Sequence, residues 1–319
     1  MRIGLVGVGH LGKIHLKCLL ETSFELSGIY DTDETAIKYI KENYNIKIFS
    51  SLDDLILASD CVDIVSPTVF HYEIAKKCIE AGKHIFIEKP LTETTAQAMD
   101  LVYLADKYKV KVQVGHVERY NPAIRSLKNI DFKPKFIEGH RLAIFNPRGT
   151  DVSVVLDLMI HDLDIILSMI KDEVKDVRAN GVCIVSSTPD ICNARIEFMG
   201  GAVANLTASR ISMKNMRKIR IFQDDAYISL DFLDKEAQVI KIEKDIEGDN
   251  FSGMTIHTND GLKRITIESP EIMQNNAIED ELNDFYNALV FDAPVLVTIK
   301  DGFRALELAY IIQNKIDEA

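Results

Sequence analysis

Short apolar runs alternate with segments of helical periodicity through the first 120 residues of the chain. Residues 2–7 form the first run, and Ile14, Leu16, Leu19 and Leu20 then repeat at helical spacing. Further strand-like runs cover 24–30, 46–49, 62–65, 83–87 and 110–115. Helices are expected from Ser51, from about 69 to 81, and from about 94 to 108, the last opened by Thr92 or Glu93. This alternation predicts an α/β domain over residues 1–120, built on a doubly wound parallel sheet of six strands.

The pattern changes after residue 120. A helix is predicted from Tyr120 to Asp131, and helices also from Asn275 and over about 300–317. Seven strand-like segments lie between them: 136–141, 177–185, 193–198, 202–209, 218–223, 226–231 and 237–241. The polar stretch 244–263 is expected to be a hairpin excursion or a loop. Residues 121–319 are therefore predicted to form an α+β domain with an open, mainly antiparallel sheet and helices on one of its faces.

Composition narrows the class of protein. A chain of 319 residues with 47% hydrophobic and 27% charged residues fits a globular protein of two domains. The net charge of −12 argues against nucleic acid or an anionic membrane as the partner. No apolar run is long enough to span a membrane, and the N-terminus is typical of a strand, not of a signal peptide. The five cysteines form no Cys-x-x-Cys pair, so buried thiols in a reducing cytoplasm are expected.

A glycine motif follows the first strand. Gly7, Gly9 and Gly12 stand in G-x-G-x-x-G spacing, with His10 and Leu11 between the last two, and a helix follows. In this context the motif predicts a dinucleotide site, although a merely tight turn would need the same residues. Asp31 ends the second strand nineteen residues after Gly12, where a carboxylate can bind the adenine-ribose hydroxyls and repel a 2′-phosphate. No arginine follows nearby, so NAD is favoured over NADP; the alternative is that Asp31 only caps the next helix.

The strand at 83–87 leads into Glu88-Lys89-Pro90. Proline cannot continue the strand, so Lys89 is expected at the carboxyl end of the sheet, where open α/β folds bind ligands. A partly desolvated lysine beside a cationic cofactor can take part in acid–base chemistry. The alternative is a surface lysine paired with Glu88.

A second group of polar residues lies at helical spacing within an apolar segment. Asp157, His161 and Asp164 share one helical stripe, so Asp157 can orient the His161 imidazole as a general base. A surface histidine paired with an aspartate, or a metal site, would use the same residues. Arg141, Arg148 and Arg210 are candidates for oxyanion contacts, although a surface arginine is the favoured interpretation of each one alone.

Five motifs occur here in the order seen in the Gfo/Idh/MocA family of NAD(P)-dependent dehydrogenases, which the chain resembles. They are Gly7-x-Gly9-x-x-Gly12-x-x-His15, Ser66-Pro67-Thr68-x-x-His71, Glu80-Ala81-Gly82-Lys83-His84, Glu88-Lys89-Pro90-Leu91 and Gly115-His116-x-Glu118-Arg119-Tyr120-Asn121-Pro122. The family's second catalytic motif, Asp-x-x-x-His-x-x-Asp, matches Asp157, His161 and Asp164. The stretch 151–162 is similar to the branch that includes UDP-N-acetylglucosamine 3-dehydrogenases.

This resemblance implies roles for individual residues. Lys89 would lie beside the nicotinamide and the reacting carbinol, with Asp157 and His161 completing the catalytic set. Expected cofactor contacts are Gly7, Gly9, His10, Leu11, Gly12, Asp31, Ser66, Pro67, Thr68, His71, Glu88 and Lys89. Expected substrate contacts are Lys89, Arg119, Asn121, Arg148, Asp157 and His161, and no metal is expected. The resemblance also implies a dimer or tetramer formed through the C-terminal sheet, and a terminal helix that packs back on the first domain.

The resulting hypothesis is an NAD-dependent dehydrogenase that oxidises a secondary alcohol of a sugar, with a nucleotide sugar such as UDP-N-acetylglucosamine favoured. An inositol or free-sugar dehydrogenase, and a glycosidase that uses NAD transiently without net redox change, are the alternatives. A non-catalytic NAD-binding sensor is disfavoured because Lys89 and His161 are both present.

Overall fold

A computed structural model describes residues 1–146, 152–244, 254–258 and 261–318 of the chain. Two compact units are formed. The first combines Met1–Tyr120 with Asn276–Glu307, and the second combines Asn121–Asn275 with Leu308–Ala319. Among the described residues, none of the helices has the length and apolar character that a membrane span requires.

The first unit is built on a parallel sheet of five strands in the order β2-β1-β3-β4-β5. The strands are β1 (Arg2–Val6), β2 (Glu25–Tyr30), β3 (Cys61–Ile64), β4 (His84–Glu88) and β5 (Val112–Gly115). The helices between them are α1 (His10–Glu21), α2 (Glu34–Asn43), α3 (Leu52–Ala58), α4 (His71–Glu80) and α5 (Thr95–Tyr108). The predicted α/β class and parallel sheet are thereby confirmed.

The run at 46–49 is not the strand that its pattern predicts. It pairs with β2 through the single parallel bridge Ile29–Ile48. Ile29 N donates to Lys47 O, and Phe49 N donates to Ile29 O, both at 2.9 Å, and the pairing goes no further. The sheet therefore has five strands instead of six. The apolar residues of the run 46–49 lie at the edge of the sheet, where they form one bridge with β2 and no full strand.

Two helix starts also differ from the prediction. The expected helix at 69 begins as a 3₁₀ turn, Thr68–Phe70, and becomes regular at His71. The next helix is opened by Thr94, not by Thr92 or Glu93. Thr94 accepts from Gln97 N, and the Gln97 side chain accepts from Thr94 N, which completes a capping box.

The C-terminal helix α8 (Ala277–Val290) belongs to the core of the first unit. Phe285 is fully buried, with its ring centroid 6.0 Å from that of Phe86 and 6.1 Å from that of Phe24. Burying a phenylalanine side chain contributes about 1.5–3 kcal/mol, so the helix stabilises a domain that begins far away in sequence.

The second unit contains a sheet of nine strands within the described residues, in the order β13-β14-β12-β11-β10-β6-β9-β8-β7. Strands β6 to β9 are Phe136–Leu142, Val174–Val182, Ile191–Phe198 and Val203–Ser209. Strands β10 to β14 are Met216–Phe222, Ala226–Asp231, Glu236–Lys244, Met254–Thr258 and Gly261–Glu268. All neighbours pair antiparallel except β6 and β9, which pair parallel. The mainly antiparallel sheet is confirmed, while self-association through it stays a prediction.

The sheet is larger than the hydrophobic pattern predicts. Strands β13 and β14 form a hairpin within the polar stretch that was expected to hold a hairpin or a loop. Their side chains are exposed or half-buried apart from buried Arg264, so the strands do not need apolar residues at every second position. The strand predicted for 177–185 stops at Val182 instead, because the Asp190 carboxylate binds the backbone N–H groups of the next residues, 184–186.

The helix predicted for 120–131 is much shorter. A 3₁₀ turn (Val117–Tyr120) precedes α6 (Pro122–Arg125), which lasts one turn. Beyond it, Leu127 N donates to Ile124 O at 3.0 Å and Ile130 N to Leu127 O at 2.9 Å. These bonds span three residues, so the segment continues in tight turns and not as an α-helix.

Between β6 and β7 the second unit contains a π-helical turn, Val155–Met159, followed by α7 (Ile160–Met169). The turn packs on β9 and the helix on β6. The terminal helix α9 spans Ile299–Asp317, close to the predicted bounds. Four of the five cysteines are buried thiols as expected, and Cys183 is exposed.

Candidate active site

The loop from β1 to α1 brings the backbone unusually close to itself. A Cβ on Gly12 would lie 2.0 Å from Gly7 O, so no larger residue fits there. Gly7 has φ of +91°, and a Cβ on it would lie 2.7 Å from Ser66 N. Nothing lies within 4 Å of the Cβ position on Gly9. The loop thus leaves open space at the glycine where a pyrophosphate approaches the backbone in dinucleotide-binding folds.

The first turn of α1 provides hydrogen-bond donors to this space. Gly9 is its N-cap residue, so no side chain caps the helix, and the first turn carries no acidic residue. His10 and Leu11 are exposed beside it. The leading N–H groups and the helix dipole therefore favour an anion at this end.

Asp31 stands directly after β2 and fixes the glycine loop. Its Oδ2 accepts from Val8 N at 2.6 Å, and its Oδ1 accepts from Asp33 N at 2.9 Å. Asp33, and not Asp31, caps α2 by accepting from Thr35 N at 2.8 Å. Each Asp31 oxygen retains a lone pair for a ribose hydroxyl, since a carboxylate has about four acceptor positions.

The turn after β3 lies against the same loop. The Ser66 Oγ is buried and lacks a hydrogen-bond partner among the described residues. Pro67 is exposed and Thr68 is half-buried in the 3₁₀ turn. The glycine loop, the uncapped helix and this buried hydroxyl together fit a nicotinamide dinucleotide, for which the chain would supply backbone donors and the Asp31 carboxylate.

His71 joins the two loops that follow β3 and β4. Its ring nitrogens lie 2.8 Å from Ser66 O and 3.0 Å from Pro90 O. Burial lowers the pKa of His71, and a neutral ring carries one N–H, so it donates to one of these carbonyls at a time. His71 therefore holds the predicted cofactor turn in place through its backbone.

Lys89 follows the last residue of β4 and is half-buried. Its backbone N donates to Glu88 Oε2 at 3.2 Å. The carboxylate of Glu88 is buried, with Oε1 3.0 Å from His15 Nε2, so it is not the surface acid of a solvated ion pair. Lys89 thus follows the carboxyl end of β4, and its contact with a ligand stays a prediction.

Behind Lys89 lies a buried polar cluster that the sequence did not reveal. His15 Nδ1 is 2.9 Å from Asp63 Oδ2, and Glu281 lies beside His15 and Glu88. Burial opposes a charge on His15, but Asp63 and Glu88 outweigh it and raise the pKa of His15 well above its usual value. Two local signals were available: Asp63 interrupts an apolar strand, and Glu281 shares the apolar stripe of α8 with Leu282 and Phe285.

In the second unit, Asp157 lies in the π-helical turn and His161 in the first turn of α7. Both are half-buried, whereas Asp164 is buried. A π-turn is frequent at functional sites, and this one lies directly before His161.

The arginines considered as oxyanion ligands have other contacts. Arg141 is buried, and its Nε and Nη2 donate to the carboxylate of buried Asp162 at 2.8–3.1 Å. Arg210 is buried, its Nη2 donates to Val152 O, and its Nε lies 4.0 Å from Asp190 Oδ1. Arg148 lies outside the described residues. Arg141 and Arg210 thus have structural partners within the second unit.

The two remaining predicted substrate residues lie on either side of the boundary between the units. Arg119 is half-buried in the 3₁₀ turn after β5. Asn121 is buried, caps α6 by accepting from Ala123 N at 3.1 Å, and donates to Phe232 O at 2.9 Å. The side chain of Asn121 is therefore used by its own unit.

Comparison with known proteins identifies the family. Residues 1–116 match an oxidoreductase family with an NAD-binding Rossmann fold, and residues 134–229 match the GFO/IDH/MocA C-terminal domain. The UDP-N-acetylglucosamine 3-dehydrogenase of Acidithiobacillus ferrooxidans is 34% identical over 318 residues, 99% of this chain and 97% of that protein. The chain belongs to the GFO/IDH/MocA oxidoreductase family.

Solved structures and a second relative agree with this membership. A structure of the same Acidithiobacillus enzyme superimposes with a TM-score of 0.90 at 33% identity, covering 100% of this chain and 98% of that one. The myo-inositol 2-dehydrogenase of Thermotoga maritima is 26% identical over 338 residues, 100% of this chain and 97% of that protein. This GFO/IDH/MocA protein is therefore an oxidoreductase, as its sequence predicts.

Proposed function

We propose that the protein is an NAD-dependent dehydrogenase that oxidises a secondary alcohol of a nucleotide-linked sugar, with UDP-N-acetylglucosamine as the first candidate. The observation that carries the proposal is the likeness to the Acidithiobacillus UDP-N-acetylglucosamine 3-dehydrogenase, which extends over both units at 34% identity. A likeness confined to residues 1–116 would support a cofactor but no substrate.

Asp31 supports NAD in preference to NADP. Its carboxylate stands at the end of β2, and the next residues, Thr32-Asp33-Glu34, add two negative charges and no arginine. A 2′-phosphate would meet repulsion here without a compensating cation, whereas a ribose diol can donate to the carboxylate.

Side chains of the protein must perform two functions in this reaction. When bound, NAD supplies the acceptor for a hydride from the carbinol carbon. One residue must take the hydroxyl proton, and another must stabilise the negative charge that develops on that oxygen. We assign the first task to His161, oriented by Asp157, and the second to Lys89. The sugar would be held further by Arg119 and Arg148, whereas the Asn121 side chain already bonds Ala123 N and Phe232 O and is not retained as a substrate contact.

The proposal is tested by NADH absorbance after the enzyme and NAD are mixed with UDP-N-acetylglucosamine, UDP-glucose, myo-inositol and free hexoses. Signal with UDP-sugars alone is expected. Signal with myo-inositol alone would retain the dehydrogenase and remove the nucleotide sugar. Absence of signal throughout, with NAD shown to bind, would overturn the proposal in favour of a redox-neutral glycosidase or another substrate.

The same assay tests Lys89. Replacing the amine in Lys89→Met should lower kcat by about two to four decades while NAD binding stays near the wild-type value. Lys83→Met is the matched control, because Lys83 precedes the opposite end of β4 and donates to Ser59 O at 2.6 Å. Wild-type turnover by the Lys89 variant would remove Lys89 from the mechanism.

A further inference from the structure

Four ionisable side chains from four elements of the first unit meet in its interior. His15 comes from α1, Asp63 from β3, Glu88 from β4 and Glu281 from α8. His15, Asp63 and Glu281 are completely buried, and Glu88 is 8% exposed. One ligand atom from each of His15, Glu88 and Glu281 can be chosen such that all three lie within 4.8 Å of one another. The dehydrogenase mechanism proposed above uses none of His15, Asp63 and Glu281.

The histidine links two of the carboxylates. His15 lies 2.9 Å from Asp63 through Nδ1 and 3.0 Å from Glu88 through Nε2. The Nδ1 contact is a hydrogen bond, whereas the Nε2 contact is an ion pair without hydrogen-bond geometry. Two carboxylates at these distances favour the imidazolium form of His15. The His15 imidazolium thus balances one of its two negative neighbours.

Glu281 has no such partner. Neither of its carboxyl oxygens has a hydrogen bond to any described residue. A second uncompensated negative charge at this depth, beside Glu88, is strongly unfavourable, and protonation of Glu281 avoids it. As an acid it has one O–H to donate, and Glu88 is the nearby acceptor.

Polar and aromatic side chains from neighbouring elements of the first unit surround this cluster. Gln113 of β5 donates from Nε2 to Glu281 O at 2.7 Å and to Tyr120 Oη at 3.2 Å. Cys18 lies one turn from His15 on α1, and burial raises its pKa. The Phe86 ring lies edge-on to His15, 5.8 Å between centroids. The titratable groups named here are His15 and Cys18 from α1, Asp63 from β3 and Glu88 from β4, and the 3₁₀ turn that packs on α8 adds Glu118, Arg119 and Tyr120.

We propose that Glu281 is kept in its acid form and shares its proton with Glu88, and that this buried proton-sharing cluster positions Lys89. The connection to Lys89 is direct, since Glu88 Oε2 accepts the Lys89 backbone N–H at 3.2 Å. Glu281 is a positioning residue in this scheme: it acts through Glu88. The part that concerns Lys89 rests on the proposed function, whereas the protonation of Glu281 does not.

The expected ionisation agrees with this arrangement. Burial, reinforced by Glu88, raises the pKa of Glu281 well above its usual value. Burial likewise raises the pKa of Asp63, although His15 acts in the opposite direction. The pKa of His15 is also raised, so all three groups hold protons more tightly in the folded chain than in the unfolded one. Stability contributed by them is complete below the unfolded pKa values and declines as the pH rises through the folded values.

The protonation of Glu281 is tested by counting the protons that the chain releases on unfolding. Unfolding enthalpies measured by calorimetry in buffers of different ionisation enthalpy give the number of protons released on unfolding. At about pH 7 the wild type should release about one proton more than Glu281→Gln, because Glu281 ionises only on unfolding. Glu279→Gln is the matched control on the same helix and should release as many protons as the wild type. Equal release by the wild type and Glu281→Gln would overturn the proposal.

An infrared measurement gives a second readout that needs neither cofactor nor substrate. The carbonyl stretch of a protonated carboxylic acid should be present in the wild type at neutral pH and absent from Glu281→Gln. Its persistence in that variant would place the proton elsewhere and refute the assignment to Glu281.

The positioning role is tested by kinetics. Glutamine can donate to Glu88 as the acid does, whereas leucine cannot. Glu281→Leu should therefore lower kcat about ten-fold more than Glu281→Gln does, with a similar KM for NAD. Equal losses in both variants would refute positioning through the shared proton. If no sugar is oxidised at all, the proposed function fails, while the proton count and the infrared band still decide the state of Glu281.

Discussion

Gly115, the last residue of β5, provides the space that the Glu88 carboxylate occupies. A Cβ at this position would lie 2.6 Å from Glu88 Oε1, 2.8 Å from its Cδ and 3.0 Å from Oε2. Ordinary contact begins at 3.4 Å, so the carboxylate would have to move by about 0.8 Å in Gly115→Ala. It cannot do so freely, because Oε1 faces His15 Nε2 at 3.0 Å and Oε2 accepts Lys89 N at 3.2 Å.

The expected cost follows from these contacts. Loss of one charge-assisted hydrogen bond costs about 1.5–3 kcal/mol. The methyl group restricts the unfolded chain and returns about 0.4–1 kcal/mol. Gly115→Ala should therefore reduce the free energy of unfolding by roughly 0.5–2.6 kcal/mol, measured by urea denaturation followed by circular dichroism.

A double-mutant cycle isolates the cause. In a Glu88→Ala background the carboxylate is gone, so the added methyl meets no clash. There Gly115→Ala should stabilise by about 0.4–1 kcal/mol, a reversal of sign and a coupling of roughly 1.5–3 kcal/mol. If Gly115→Ala costs the same in both backgrounds, the clash with Glu88 is not the reason for glycine at this position.

Two further predictions concern Asp31 and Arg141. Asp31→Ala should raise the KM for NAD about ten-fold and shift the ratio of kcat/KM for NAD over NADP toward NADP. The control Asp33→Ala should leave that ratio unchanged and lower the free energy of unfolding by about 1 kcal/mol, because it removes a helix cap. Arg141→Met leaves the buried Asp162 carboxylate unpaired and should lower the free energy of unfolding, measured by urea denaturation, by about 3–5 kcal/mol. Arg141→Met combined with Asp162→Leu should lower it much less. Equal losses in the two variants would show that the unpaired carboxylate is not the cause of the lower stability.

The sequence predicted the first unit well because its strands are buried on both faces. Strands β3 and β5 are buried at every residue, so each is mainly apolar, although Asp63 interrupts β3 and Gln113 interrupts β5. The same logic misassigned residues 46–49, which are also apolar but meet β2 through one bridge. Hydrophobic pattern reports burial, and it does not distinguish a strand from an edge segment packed beside one.

The residues of the candidate site could be predicted where they lie close together in the sequence. Gly7, Gly9, Gly12 and Asp31 lie within one βαβ unit, so their spacing is informative. The proximity of Glu281 to His15 was not predictable, because those residues are far apart in sequence and meet only after the C-terminal segment folds. The bidentate ion pair of Arg141 likewise depends on the packing of α7 against β6, which periodicity alone does not define.

The first unit is discontinuous in the chain, and this has a consequence for its synthesis. Lys111 Nζ donates to Ala288 O and Ala293 O at 2.7 and 2.8 Å, and Val114 N donates to Val297 O at 3.1 Å. The edge strand β5 therefore lacks these partners until residue 297 has left the ribosome. At about 5–20 residues per second, the nascent nucleotide domain waits roughly 10–35 s after its own first 120 residues are made, with the cleft for Phe285 still open to chaperones.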